Sequence, residues 1–191
     1  MKNIPADGSD TPKRLAFSSS LATPANPIDN QRFFVWQQYA DFKPGGNSEP
    51  DESGLDFWTR NITGPCSGAN KDNNIAGVNY NDSCTRDWRN NTSLAFWVNT
   101  HPELFPSSPP YGLTSGNNSQ FVKLCYSIYL NFDNADVNDP SGFNYWLGVL
   151  NGYGDPASQT GVLVLIDQFL NSTGPGIPPG PTGYRVRFGA S

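Results

Sequence analysis

The stretch that decides the predicted fold is residues 120–132, QFVKLCYSIYLNF. Every second residue from Val122 to Phe132 is apolar, whereas Lys123, Ser127 and Asn131 are polar and fall between them. The apolar members of this alternation are Val122, Leu124, Tyr126, Ile128, Leu130 and Phe132. A period of two residues is typical of a β-strand with one face on the core. We therefore predict a long strand here.

Other segments fit the same interpretation. Residues 33–42 are partly apolar on both faces, with Gln38 interrupting one of them, as in a strand covered on two sides. Further strands are predicted at residues 94–99, 143–150, 161–169 and 184–188, with short ones at 55–58 and 77–80. No stretch shows a clear period of 3.6 residues, and no internal repeat at a fixed period is apparent.

The content of turn-forming residues supports a β fold. The chain of 191 residues contains 19 Gly and 17 Pro, and neither residue favours the interior of a helix. Aromatic residues make up 13% of the chain, so a few large rings can fill the core. We predict an all-β protein, an antiparallel β-sandwich of the jelly-roll type with long ordered loops.

The domain organisation follows from length and proline placement. Residues 1–30 contain four prolines and a run of three serines, which predicts an extended N-terminal arm. Residues 31–191 are then a single β-sandwich domain, a usual size for one domain. Residues 174–181, GPGIPPGP, predict a stiff connector of the polyproline type before the last strand.

Charge excludes some partners. Charged residues are 15% of the chain and the net charge is −5, so a surface for nucleic acids is not expected. No apolar run reaches the roughly 18 residues of a membrane span, and the N-terminus lacks the apolar segment of a signal peptide. Export would then require lysis, a non-classical route or a leader absent from this sequence.

The three cysteines leave two alternatives open. Cys66 and Cys84 bracket a loop-rich stretch and could form a disulfide, whereas Cys125 lies in a predicted strand and fits a small core residue. An odd number without Cys-x-x-Cys spacing argues against a zinc site. We favour three reduced thiols.

Catalytic signatures are missing. His101 is the single histidine, and neither a Gly-x-Ser-x-Gly motif nor a nucleotide-binding glycine loop is present. A lone loop histidine is usually a surface residue. We therefore expect no enzyme activity and no cofactor.

One loop resembles a cation site in composition. Asp133, Asp136, Asn138 and Asp139 follow the strongest predicted strand, and their oxygens suit Ca²⁺. The alternative is a polar turn, in which Asn and Asp serve the backbone conformation. We favour the turn.

These features favour a structural role. A β-sandwich pattern, proline-rich ends and the lack of a catalytic signature predict a component of a large assembly, and we take this to be a capsid-associated protein of a virion. We expect an oligomer whose partners are other protein subunits, with the N-terminal arm contacting neighbouring chains. The alternative is an extracellular lectin-like module that binds a glycan or a receptor through exposed Trp or Tyr.

Overall fold

The computed structural model describes residues 31–43, 50–65 and 83–171, and within these ranges the chain is helical. The described residues form seven helices and no strand: α1 (Gln31–Phe42), α2 (Glu52–Thr63), α3 (Ser83–Thr100), α4 (Asn118–Leu130), α5 (Ala135–Asn138), α6 (Pro140–Asn151) and α7 (Gln159–Asn171). The prediction of an all-β sandwich or jelly roll is therefore wrong.

Residues 120–132 show why the prediction failed. The side chains buried in α4 include Phe121, Val122, Cys125, Tyr126, Tyr129 and Leu130, which recur with the spacing of one helical face. Lys123, Ser127 and Asn131 are each four residues apart, so they also share one side of a helix. Leu124 and Ile128, which were assigned to the buried strand face, are only partly buried.

The other predicted strands meet the same outcome. Residues 33–42 lie in α1, 55–58 in α2, 94–99 in α3, 143–150 in α6 and 161–169 in α7. The strands predicted at 77–80 and 184–188, the arm at 1–30 and the connector at 174–181 lie outside the described residues.

Local signals fix the helix ends. The carboxylate of Asp51 accepts from the backbone N–H of Gly54 at the start of α2. Asp139 does the same for Gly142 at the start of α6, where Pro140 occupies the first turn. Asn131, with a φ of 54°, ends α4 in the left-handed conformation that asparagine tolerates.

The helices form two similar three-helix units. In the first, α1, α2 and α3 pack against one another, and in the second α4, α6 and α7 do so, with α5 as a short insertion. The units meet where α3 packs on α7 and α1 packs on α4, so equivalent helices pair across the contact. Within the described residues, the second unit thus repeats the helix order of the first, a structural duplication that the search for a fixed sequence period does not reveal.

Matching residues support the duplication. The first helices share Phe-Val and a tyrosine, and the second helices share Asp-x-Ser-Gly and an aromatic pair ending in Trp. The matched positions are Phe34 and Phe121, Val35 and Val122, Tyr39 and Tyr126, Asp51 and Asp139, Ser53 and Ser141, Gly54 and Gly142, Phe57 and Tyr145, and Trp58 and Trp146.

Aromatic rings form the core at the contact between units. Trp97 of α3 and Phe121 of α4 are buried with ring centroids 4.7 Å apart, and Trp97 lies 5.2 Å from Phe42 of α1. Tyr129 and Phe169 extend the cluster through α4 and α7 at 6.2 Å. The large rings therefore hold the two units together.

Polar contacts cross the same boundary. Arg86 of α3 makes a two-pronged ion pair with Asp167 of α7, and Asn90 donates to the same carboxylate at 2.8 Å. A two-pronged arginine contact fixes orientation as well as attraction. It sets the register of α3 against α7.

Candidate functional site

The four residues of the predicted cation loop lie between α4 and α6, and each is engaged within the protein. Asp136 forms an ion pair with Lys123 at 2.6 Å, and this lysine holds the pKa of the Asp136 carboxyl below its usual value. The backbone carbonyl of Asp133 accepts from the side-chain amide of Asn138 at 3.0 Å. Asp139 caps α6.

A further contact holds Asp133. Its carboxylate accepts from the hydroxyl of Ser127 at 2.6 Å. In the part of the chain that the structure describes, no three His, Cys, Asp or Glu side chains converge as a metal site would require. The loop is arranged as a connection whose side chains bond to neighbouring groups.

In each unit a tyrosine of the first helix forms a hydrogen bond with the second helix or its cap. The hydroxyl of Tyr126 lies 3.1 Å from the carboxylate of Asp139, to which it donates. Burial and the Asp139 charge raise the pKa of Tyr126. In the first unit the indole of Trp58 donates to Tyr39 instead, and burial raises the pKa of that tyrosine. These contacts anchor the second helix of each unit on the first, which is a structural role.

His101 follows the end of α3. Its ring packs against Trp97 at 5.2 Å, and Nδ1 lies 3.2 Å from the carboxylate of Glu103. The side chain is partly exposed. These contacts place the histidine beside the core at the start of the connection between the two units.

The surface that stands out is the outer side of α6, which we call the α6 face. It consists of Ser141, Asn144, Tyr145, Gly148 and Asn151, all exposed and spaced along one side of the helix. No charged residue occurs from position 140 to 154. The ring of Tyr145 is 58% exposed, a high value for a large aromatic side chain.

The core fixes the position of that ring. Tyr145 packs edge-on against Trp146 at 4.9 Å, and Trp146 is buried 5.5 Å from Phe169 of α7. The indole N–H of Trp146 has no hydrogen-bond partner among the described residues. Tyr145 therefore packs against a ring that is itself buried in the core.

The equivalent side of α2 carries a similar ring among charges. We call it the α2 face: Ser53, Asp56, Phe57, Arg60 and Thr63. Phe57 is 58% exposed and packs on Trp58, which in turn contacts Phe96 of α3.

Ion pairs distinguish the α2 face from the α6 face. Arg32 of α1 pairs with both Glu52 and Asp56 of α2, and Arg60 lies 3.9 Å from Asp56. Hydrogen bonding from Arg32 lowers the pKa of the Asp56 carboxyl. In α6 these acidic and basic positions are taken by Pro140, Asn144 and Gly148. The equivalent helices α2 and α6 therefore carry faces that differ in charge: the α2 face is charged and the α6 face is not.

The predicted strands do not reveal this surface. A strand over residues 143–150 has a different exposed side from the helix that the segment forms. The signal that could have found it is the repeated Asp-x-Ser-Gly followed by an aromatic pair, which places Tyr145 and Phe57 at equivalent positions.

Two findings complete the description. In the described ranges, no helix combines the length and apolar character that a membrane crossing needs. No protein-family model, curated protein or solved structure matches the chain. The α6 face must therefore be interpreted from its own chemistry.

Proposed function

We propose that this chain is a non-catalytic helical module that joins a larger assembly through protein–protein contacts, with the α6 face as its docking surface. The observation that carries the proposal is the exposed Tyr145 on a helix face without charge. The equivalent α2 face, by contrast, keeps its ion pairs.

Interface composition supports a protein partner. The centres of protein interfaces are depleted in charged residues and enriched in tyrosine. Binding surfaces rich in Tyr, Ser, Gly and Asn combine a stiff ring with adaptable polar groups. The α6 face contains those four residue types. Because the core already holds the Tyr145 ring, docking would cost little side-chain entropy.

The kind of assembly is a separate matter. Of the grounds for the capsid hypothesis, the β-sandwich pattern is wrong, the proline-rich ends lie outside the described residues, and the lack of a catalytic signature in the sequence does not identify an assembly. A place in a virion or outside the cell stays a prediction that rests on sequence alone.

A glycan ligand is the second candidate. Tyr145 and Tyr153 are both exposed, and Asn144 offers an exposed amide next to Tyr145 in the sequence. Such groups can stack on and hydrogen-bond to a sugar ring. Small-ligand sites are usually concave, however, whereas one side of a helix is convex. We therefore rank a protein partner first.

Site-specific photocrosslinking tests the proposal. A benzophenone amino acid is placed at position 145 of the full chain, and in a matched control at position 57, in the cells that produce the protein. We expect a discrete protein adduct from position 145 that mass spectrometry identifies in repeated samples and that position 57 does not give. Asn144→Lys in the position 145 protein should abolish the adduct.

Equal adducts from both positions, or none from position 145, would contradict a docking role for the α6 face. Titration of the purified chain with oligosaccharides, read by tryptophan fluorescence, separates the second candidate. Saturable quenching that Tyr145→Ala removes would replace the protein partner with a glycan.

A further inference from the structure

We infer that the α6 face binds the α6 face of a second copy of this chain, with the two helices crossing at Gly148. The inference rests on the proposed function and names its partner. It is argued from charge, from the space around Gly148 and from the symmetry of such a contact.

The distribution of charge favours association of two copies through the α6 face rather than through the α2 face. Each copy carries a net charge of −5, so two copies repel one another over most approaches. The segment 140–154 has no charged residue and meets its own copy without like-charge repulsion. A contact through the α2 face would remove Glu52, Asp56 and Arg60 from water, which costs free energy that their pairing does not reliably return.

Gly148 leaves room for a close approach. It lies inside α6, it is exposed, and a Cβ built on it would meet no atom of the described residues within 4 Å. Glycine inside a helix costs about 1 kcal/mol relative to alanine, and neither the backbone conformation nor packing among the residues that the structure describes requires it here. The equivalent residue of α2 is Arg60, so the framework accepts a long side chain at this position. A helix from a second copy accounts for the open space.

A two-fold contact at Gly148 is self-complementary. In an antiparallel pair, a residue three positions before Gly148 faces the residue three positions after it on the other copy. Tyr145 of one copy then packs on Asn151 of the other, and Asn144 lies beside the small residue Gly152. The two-fold symmetry therefore produces two identical contacts, in each of which a Tyr145 ring lies on a polar, uncharged residue of the other copy.

The size of α6 predicts a weak dimer. Twelve residues make a helix of about 18 Å, which covers less than the roughly 800 Å² per partner of a standard stable interface. Association should therefore depend on concentration, and it has to be measured up to about 1 mM.

The test is sedimentation velocity of the full chain between about 10 µM and 1 mM. We expect a reversible monomer–dimer equilibrium for the natural sequence. Gly148→Arg should leave only monomer, because it brings two arginines together at the crossing point. Tyr145→Ala should weaken dimerisation by at least about tenfold, which is a large-ring interface effect of roughly 1.4 kcal/mol.

Two controls make the result specific. Phe57→Ala removes the equivalent ring of α2 and should leave dimerisation unchanged. Gly148→Arg changes the net charge from −5 to −4, a smaller magnitude, so general repulsion alone would predict stronger association of that variant. Circular dichroism should show its helix content retained, since arginine is the better helix former.

A natural chain that stays monomeric at 1 mM, or a Gly148→Arg variant that still dimerises, would overturn the inference. The proposed function fails separately. If position 145 crosslinks to a different protein while the purified chain remains monomeric, docking through the α6 face stands and self-association does not.

Discussion

The indole N–H of Trp97 donates to the hydroxyl of Tyr129 at 2.7 Å, and both side chains are fully buried. That hydroxyl lies 2.6 Å from Oγ of Ser93, which itself donates to Oε1 of Gln38 at 2.7 Å. Because Ser93 donates its hydroxyl proton to Gln38, the Tyr129 hydroxyl is the donor in its hydrogen bond with Ser93. The resulting chain of hydrogen bonds joins α1 and α3 of the first unit to α4 of the second.

Tyr129→Phe should destabilise the fold without changing its shape. The substitution leaves the indole N–H of Trp97 and an acceptor on Ser93 without a partner in the interior, which costs about 1–3 kcal/mol. Urea denaturation followed by tryptophan fluorescence measures the loss. Tyr153→Phe removes an exposed hydroxyl and should stay within about 0.5 kcal/mol. Equal losses in both variants would show that the buried network contributes nothing.

The same tyrosine predicts alkaline sensitivity. Burial raises the pKa of Tyr129 well above the ordinary value of 10.0, so the folded state holds this proton more tightly than the unfolded chain. A pKa that is higher in the folded state contributes fully to the free energy of unfolding below pH 10, and this contribution is lost as the pH rises further. Urea midpoints should therefore fall between about pH 10 and 11.

The control for this pH effect is the phenylalanine variant. Tyr129→Phe should reduce the alkaline slope, and Tyr126 and Cys125, whose pKa values burial also raises, account for the remainder. An unchanged slope in the variant would assign the alkaline sensitivity to other groups.

The sequence gives the composition of the core better than its geometry. Residues 120–132 are so rich in apolar side chains that both a strand and a helix bury most of them. The deciding residues are Cys125 and Tyr129, which a strand would place with Lys123 on the polar face. Their burial beside Phe121, Val122, Tyr126 and Leu130 identifies a helix.

The candidate site was harder to predict for a physical reason. Tyr145 is distinguished by the exposure of its side chain, and exposure depends on tertiary packing. Its counterpart Phe57 could have been found by aligning the chain with itself at Asp51 and Asp139. That alignment shows from the sequence alone that charged residues of α2 are replaced by uncharged residues in α6.

The corrected helical face of α4 changes which substitutions matter. Phe121 is fully buried against Trp97 and Phe105, whereas Leu124 is partly exposed. Phe121→Ala should therefore cost about 3–5 kcal/mol, and Leu124→Ala clearly less. Thermal unfolding of the two variants provides the comparison. A larger loss for Leu124→Ala would restore the alternating pattern of a strand.

The cysteines give a chemical prediction. Cys84 is disulfide-bonded and Cys125 is a free, buried thiol, so the interpretation of three reduced thiols is wrong at Cys84. Cys66 lies outside the described residues, but it is the remaining cysteine of the sequence and we predict it as the partner. Non-reducing peptide mapping should recover Cys66 linked to Cys84, with Cys125 alkylated only after denaturation. Recovery of alkylated Cys66 without reduction would contradict the pairing.

The loop between α4 and α6 should not respond to calcium. Asp136 is paired with Lys123, and Asp139 accepts from Gly142 and Tyr126, so Ca²⁺ would have to break contacts that already satisfy these carboxylates. The melting temperature should be the same in millimolar Ca²⁺ and in excess chelator. Asp139→Ala should instead lower stability by about 0.5–2 kcal/mol in both solutions, because α6 loses its cap. A melting temperature that rises with Ca²⁺, and an Asp139→Ala variant that loses this rise, would establish a cation site in place of a turn.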